Sequence, residues 1–320
     1  MAASGGTKAV ITALFANLGI AIAKFVGWLL TGSSSMLAES VHSVADTSNQ
    51  ALLLLGGKRA QRKASEVHQF GYGRIRYVYA FIVAIILFSL GGLFALYEAW
   101  HKFSDPHPIT EWQWVPIVVL LIAVVLESFA LRTAVIEANH VRGRTPIFKF
   151  VKTSRSPEIP VILLEDTGAL LGLVFGLFGV SMTLITGDGR WDAIGSGAIG
   201  LLLVVIAVFL ALEMKSMLVG ESALPEHQDA IEAAVVGGGI TSVIHMRTLH
   251  LGPDELLVAA KVEVARDDDA EEVAAAIDAA EVRIRESVPL RLTIYIEPDL
   301  RRPATTGPAG SDQPGGPTTA

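Results

Sequence analysis

The chain is 320 residues long, and its composition is more apolar than that of a typical soluble enzyme. Hydrophobic residues make up 51% and charged residues 18% of it, whereas soluble domains carry about 25% charged residues. The net charge of −7 disfavours nucleic acid as a partner, and the absence of cysteine excludes disulfides, iron–sulfur clusters and thiolate zinc sites. We therefore expect a lipid bilayer as the environment, with histidine nitrogen and carboxylate oxygen as the strong metal ligands available.

Six segments are long enough to cross a bilayer as helices, which takes roughly 20 apolar residues each. They are residues 9–30, 36–56, 77–100, 115–136, 161–185 and 193–212. The first segment is too long for a signal peptide and lacks a small-residue cleavage site, so it is predicted to be a mature span.

Basic residues cluster in two of the five loops between these spans. Those after the second and fourth spans are Lys58, Arg59, Arg62, Lys63, Arg74, Arg76, Arg142, Arg144, Lys149, Lys152 and Arg155. The alternate loops contain only Lys102 and Arg190. Because cytoplasmic loops carry the excess of Lys and Arg, both termini are predicted to be cytoplasmic.

A polar, mixed pattern follows the sixth span. A helix opening at Pro225 is followed by strands at 242–251 and 256–265 around a Gly-Pro-Asp turn, a helix at 270–287 and a strand at 292–296. This order indicates a ferredoxin-like α+β domain. We predict a transmembrane domain at 1–218, a cytoplasmic domain at 219–300 and a disordered Pro/Gly-rich tail at 301–320.

The second span carries ionisable side chains on one face. Glu39, His42 and Asp46 fall within about 60° of one another, and Asn49 and Gln50 extend the same stripe. Each such group costs about 2.5–3.5 kcal/mol at the bilayer centre on insertion scales, so these groups are predicted to line a cavity or bind a ligand. His42 and Asp46 lie one turn apart, and both could reach a single metal ion.

The fifth span offers carboxylates at a matching depth. Its helix is predicted to begin at Pro157 behind an N-cap Ser156, which places Glu165 and Asp166 roughly 14 Å from the cytoplasmic edge, close to the depth of Asp46. Adjacent side chains point about 100° apart, so only one of the two is expected to join the clamp. Asp166 is favoured, because Glu165 shares a face with small residues suited to helix packing, namely Gly168, Gly172, Gly176 and Gly179.

These motifs resemble the cation diffusion facilitator family. The resemblance rests on SSSMLAESVHSVADTSNQ at 33–50, HQFGYGR at 68–74 and LLEDT at 163–167, and it is greatest for the branch that contains an animal mitochondrial zinc transporter. It implies six spans, a cytoplasmic ferredoxin-like domain, and a homodimer that exchanges zinc or a neighbouring first-row metal for protons by alternating access.

The resemblance also implies a tetrahedral metal site with two ligands from each of two spans. The second-span pair falls on His42 and Asp46, and the fifth-span pair on Ile162 and Asp166. Isoleucine cannot coordinate a metal, so Glu165, Glu39, Asn49 or water would supply the fourth ligand. In the soluble domain, His245 matches a family metal ligand but Lys261, Tyr295 and Glu297 occupy the other positions, so that second site is expected to be absent or rebuilt and the dimer to need no metal there.

Each candidate has a structural alternative. His42 and Asp46 could form a hydrogen-bonded pair that only holds helices together, and Asp166 could be a polar residue that only contributes to helix packing. Glu39 and Glu165 could support the site instead of acting as ligands or proton relays. Lone polar residues in other spans are interpreted as helix contacts or interface residues; they are Asn17, Lys24, Glu98 and Glu127. His68 is either a metal-entry residue or a solvated loop histidine.

The prediction is a divalent metal/proton antiporter that exports zinc from the cytoplasm, not an enzyme, since the spans contain no HExxH motif. Manganese, iron or cobalt transport by the same mechanism, or a membrane metal sensor or scaffold, stays open as an alternative. The Ala- and Gly-rich composition and the lack of a transit peptide favour a bacterial inner membrane.

Overall fold

The computed structural model describes residues 18–300. The chain separates into two compact units whose main division falls between Glu221 and Ser222, close to the predicted boundary at residue 219. The predicted tail at 301–320, the first part of the predicted span at 9–30, and Asn17 lie outside the described residues. The assignment of these units as independent domains stays a prediction.

Seven helices are described in the first unit. They are α1 (described as Leu18–Thr31), α2 (Ser34–Ala60), α3 (Ile75–Ser104, with a π-helical stretch at Leu87–Leu93), α4 (Trp114–Arg142), α5 (Ile147–Thr153), α6 (Glu158–Thr186) and α7 (Arg190–Val219). Helices α3, α4, α6 and α7 are long and apolar enough to cross a membrane. The prediction of spans agrees for these four; for α1, described only in part, and for the polar α2 it stays a prediction.

The start of α6 differs by one residue from the prediction. The helix begins at Glu158 with Pro157 in the N-cap position, not at Pro157 behind Ser156. Pro157 makes no side-chain cap hydrogen bond, and the carbonyl of Ser156 accepts from Oγ of Ser154. The N–H of an N-cap residue makes no hydrogen bond within the helix, so the missing N–H of proline costs no helical hydrogen bond at this position. The shift leaves the depth of Glu165 and Asp166 almost unchanged.

Helix α2 packs against α3, α6 and α7, and α6 packs against both α4 and α7. The glycine residues along one face of α6 let α6 and α7 pack closely. A Cβ on Gly168 would lie 2.7 Å from Cδ1 of Ile206, and one on Gly179 would lie 2.8 Å from the carbonyl oxygen of Trp191. Gly179 requires glycine because a Cβ there would meet backbone atoms, whereas at Gly168 only the end of the Ile206 side chain would have to shift; both agree with the predicted small-residue face.

The start of α2 is anchored by a fully buried carboxylate from α7. Asp192 accepts hydrogen bonds from Oγ of Ser33 (2.9 Å) and from the backbone N–H groups of Ser34 (2.7 Å) and Ser35 (3.2 Å). The N-cap Ser33 itself accepts from the N–H of Met36. The first N–H groups of a helix have no intrahelical acceptor, so Asp192 satisfies them and joins α2 to α7.

Replacing Asp192 with alanine should destabilise the first unit, because each buried donor left without an acceptor costs about 1–3 kcal/mol. The expected result is a fall of the unfolding midpoint of the full chain in detergent. The matched control is Asp105→Asn, at a side chain that is 75% exposed. Equal midpoints for Asp192→Ala and the control would contradict the anchoring role.

The second unit is a three-stranded sheet with two helices. Its elements are α8 (Pro225–Val235), β1 (Ile240–Gly252), β2 (Glu255–Val264), α9 (Ala270–Ser287) and β3 (Arg291–Asp299), with sheet order β1-β2-β3. The predicted order of helix, strand, strand, helix, strand is therefore confirmed. Asp269 opens α9 with a capping box to Glu272. Apolar side chains from both helices and all three strands form one core, including Ile231, Val235, Ile240, Leu256, Val258, Val262, Ile284 and Ile294.

Candidate functional site

The polar face of α2 points into the helix bundle. Glu39, His42 and Asn49 are each at most 1% exposed, and the side chain of Asp46 is 14% exposed. The i, i+3, i+7, i+10 spacing of these four residues puts them on one side of the helix, as the sequence predicted. A buried polar face of this kind is stable only if its groups find partners or a ligand.

His42 and Asp46 are close but not hydrogen-bonded. Nε2 of His42 lies 3.5 Å from Oδ2 of Asp46, and within the described residues neither ring nitrogen of His42 nor Oδ1 of Asp46 has a hydrogen-bond partner. A Cβ on Gly91, in the π-helical stretch of α3, would lie 3.9 Å from Nδ1 of His42, an ordinary contact distance, so α3 passes directly beside the ring. The structure thus leaves the ligating atoms of both side chains available.

Glu39 is paired with a lysine from α1. Nζ of Lys24 donates to Oε2 of Glu39 at 2.9 Å and to Oγ of Ser43 at 2.9 Å, and both charged side chains are at most 1% exposed. Of the two interpretations of Lys24 from the sequence, a contact between helices is therefore correct, and a side chain that reaches the membrane interface is wrong. Oε1 of Glu39 has no partner among the described residues, and a Cβ on Gly172 would lie 2.7 Å from it. One carboxylate oxygen of Glu39 is thus committed to Lys24.

Removing Lys24 alone should destabilise the protein more than removing the pair. Lys24→Met leaves the Glu39 carboxylate buried and uncompensated, which costs about 3–5 kcal/mol, whereas an apolar or neutral pair of similar volume is tolerated. We expect a lowered unfolding midpoint in detergent for Lys24→Met and substantial recovery in the double variant Lys24→Met/Glu39→Gln. A double variant no more stable than the single one would refute this account of the ion pair.

Glu165 is buried on the glycine face of α6 and bonded to α2. Nδ2 of Asn49 donates to Oε1 of Glu165 at 2.7 Å, and Glu165 is 4% exposed. The two side chains link α2 and α6 at the depth of the predicted clamp. This hydrogen bond suits a supporting residue, and a ligand role for Glu165 stays a prediction.

Asp46 and Asp166 face one cavity of about 110 Å³ between α1, α2, α4 and α6. Its lining residues are Ile20, Ser43, Asp46, Gln50, Glu127, Ala130, Ile162 and Asp166. Asp166, and not Glu165, therefore shares a cavity with Asp46 of the second-span pair, which agrees with the prediction from the glycine face of Glu165. The volume is enough for a metal ion with a few waters.

Glu127 of α4 lines the same cavity, although the sequence interpretation set it aside as a helix contact. A lone acid in an otherwise apolar helix was the available signal, but only tertiary packing shows which way it points. Within residues 18–300, no group of three or more His, Asp or Glu side chains is close enough to hold a metal ion. Binding at this cavity would therefore require the side chains to close around the ion.

In the second unit, four positions matched to the family's cytoplasmic site line a surface cavity of about 240 Å³. They are His245, Lys261, Tyr295 and Glu297. Nζ of Lys261 lies 2.9 Å from the carboxylate of Asp299 and 3.0 Å from that of Glu297. Hydrogen bonds to Asp299 and Glu297 raise the pKa of Lys261, which keeps its ammonium charged beside these carboxylates. His68 is exposed and contacts the ring of Tyr72.

Comparison with known proteins places these features in a family. The model of the cation efflux transmembrane domain matches residues 10–219. The chain is 31% identical over 263 residues to the mouse and human proteins named proton-coupled zinc antiporter SLC30A9, mitochondrial, which covers 81% of this chain and 46% of each relative. It is 30% identical over 219 residues to metal tolerance protein C4 of Arabidopsis thaliana, covering 67% of this chain and 47% of that protein.

The chain spans less than half the length of these relatives. The family model nevertheless covers more than half of the chain, and it coincides with the helical unit that holds the cavity. The chain belongs to the cation efflux, or cation diffusion facilitator, family, a family of transporters and not of enzymes, and within it resembles the branch of the animal mitochondrial zinc antiporters.

Proposed function

We propose that this protein is a divalent metal/proton antiporter that exports zinc from the cytoplasm by alternating access. The observation that carries the proposal is the cavity between α1, α2, α4 and α6, which Asp46 and Asp166 both line and where His42 contacts Asp46. The relatives' names, which state proton-coupled zinc antiport, support the same substrate and coupling.

His42, Asp46 and Asp166 are the proposed ligands of the transported ion. An imidazole with carboxylate oxygens suits zinc, and the ligating atoms of His42 and Oδ1 of Asp46 have no competing partner in the described part of the chain. Glu39 and Glu165, each bonded to a neighbour, would hold the orientation of α1, α2 and α6 around the ion.

Protons and metal compete for these ligands. Zinc binds neutral imidazole and ionised carboxylate, so loading the ion requires His42, Asp46 and Asp166 to be unprotonated. When the cavity opens to the side with more protons, protonation of these groups releases the metal. With an inward proton gradient, repeated exchange drives the metal out of the cell.

The remaining architecture is part of the proposal. We place six spans in the membrane, a transmembrane domain at 1–218 and a cytoplasmic domain at 219–300, with both termini cytoplasmic in a bacterial inner membrane. We also propose that the protein is a homodimer in which Lys261 stands where the family has a cytoplasmic metal site. The basic loops after the second and fourth helices support this orientation.

Proton-gradient-driven zinc flux in proteoliposomes tests the proposal. We expect flux from the wild type and a loss of at least about 100-fold in Asp46→Asn and His42→Ala, because each removes a ligand. Ser48→Ala is the matched control, since Ser48 is exposed on the same helix and bonds only its own backbone turn. Size-exclusion profiles identical to wild type would show that the variants fold.

No gradient-driven flux of any metal by the folded wild type would overturn the proposal and favour a sensor or scaffold. Manganese, iron and cobalt are measured in parallel. Flux of one of these in preference to zinc would keep the antiport mechanism and replace the substrate.

A further inference from the structure

We infer that Glu127 is a further ligand of the transported ion and takes the place that Ile162 leaves open. The inference rests on the proposed function, since it concerns the same cavity. It names a residue of α4, a helix outside the two that the sequence motifs point to.

Glu127 and Ile162 line one cavity from two packed helices. Both are among the residues around the 110 Å³ space that Asp46 and Asp166 also line, and α4 packs directly along α6. Ile162 lies one turn before Asp166 on α6, where a carboxylate or imidazole would complete a second two-residue clamp. Its alkyl side chain offers no ligand, whereas the Glu127 carboxylate enters the same space from the side.

The position of Glu127 argues against a purely structural role. It lies near the middle of the 29-residue α4, far from either end of the helix. The Lys24 ammonium acts electrostatically on Glu127, but it already donates to Glu39 and Ser43, and Glu127 in turn repels Asp166. Two carboxylates beside one ammonium that is already paired with Glu39 are expensive to keep at this depth, so a cation in the cavity would stabilise both.

A second observation, independent of the carboxylates, points to a cation. His42 is 1% exposed, and neither of its ring nitrogens has a hydrogen-bond partner among the described residues. Its Nε2 is directed at the Asp46 carboxylate, 3.5 Å away, on the wall of the cavity. The cavity wall thus carries the Asp46 carboxylate with an imidazole 3.5 Å from it that has no hydrogen-bond partner, and this nitrogen-and-oxygen combination is typical of a metal site.

The resulting ligand set would be one imidazole and three carboxylates. Three anionic oxygen donors are harder than the nitrogen-rich alternatives, so Glu127 would widen the range of accepted ions towards manganese and cobalt. Glu127 thus becomes a residue that determines specificity as well as affinity.

Zinc titration of the purified full chain in detergent, alongside flux, tests the assignment. Glu127→Gln should weaken zinc binding and lower flux, each at least 10-fold. The matched control is Glu137→Gln, an exposed glutamate on the same helix that does not line the cavity. Wild-type zinc affinity in Glu127→Gln would overturn the inference.

A compensating substitution separates ligation from folding. In Ile162→Asp/Glu127→Gln, the new carboxylate on α6 should restore zinc affinity to within about 3-fold of wild type. If Ile162→Asp alone binds zinc like wild type but the double variant binds no better than Glu127→Gln, the inference fails. Failure of this inference can be distinguished from failure of the proposed function. If only the inference fails, the wild type still shows zinc flux that depends on Asp46. If the proposed function fails, flux is absent, but the effect of Glu127→Gln on zinc binding can still be measured.

Discussion

The burial of ionisable side chains in an apolar helix bundle is the constraint on which the first unit depends. Every such group needs a partner, because an isolated charge in a low-dielectric interior is strongly unfavourable. Glu39 has Lys24 and Glu165 has Asn49. His42 and one oxygen of Asp46 have none within the described residues. The groups that are satisfied hold the helices together, and the groups that are not satisfied surround the proposed path of the metal.

The geometry of α2 follows from contacts at its beginning. Asp192 of α7 binds Ser33 and the N–H groups of Ser34 and Ser35, so the first turn of α2 is joined to α7. Helix rotation about this point decides where every later polar residue points, since 3.6 residues complete a turn. The glycine face of α6 then lets that helix approach α7 closely enough to bring Asp166 beside α2 and α4.

The proposed ion site uses three helices, and this has a mechanistic consequence. Ligands on different helices separate when the helices tilt, so the site can exist in one state and open in another. Among the described residues, no three His, Asp or Glu side chains lie close enough together to hold a metal ion. Asp46, Glu127 and Asp166 nevertheless line one cavity, and His42 contacts Asp46. Such an arrangement suits a transporter, which must release its substrate as readily as it binds it.

The sequence by itself determined the four long apolar helices, the order of elements in the second unit and the polar face of α2, because these follow from hydrophobic length and periodicity along one chain. It also favoured Asp166 over Glu165, because Glu165 shares the glycine face that suits helix packing. The partner of Lys24 and the position of Glu127 were decided only by tertiary structure. Both are lone polar residues in apolar helices, and periodicity within a helix does not show which neighbouring helix its face meets.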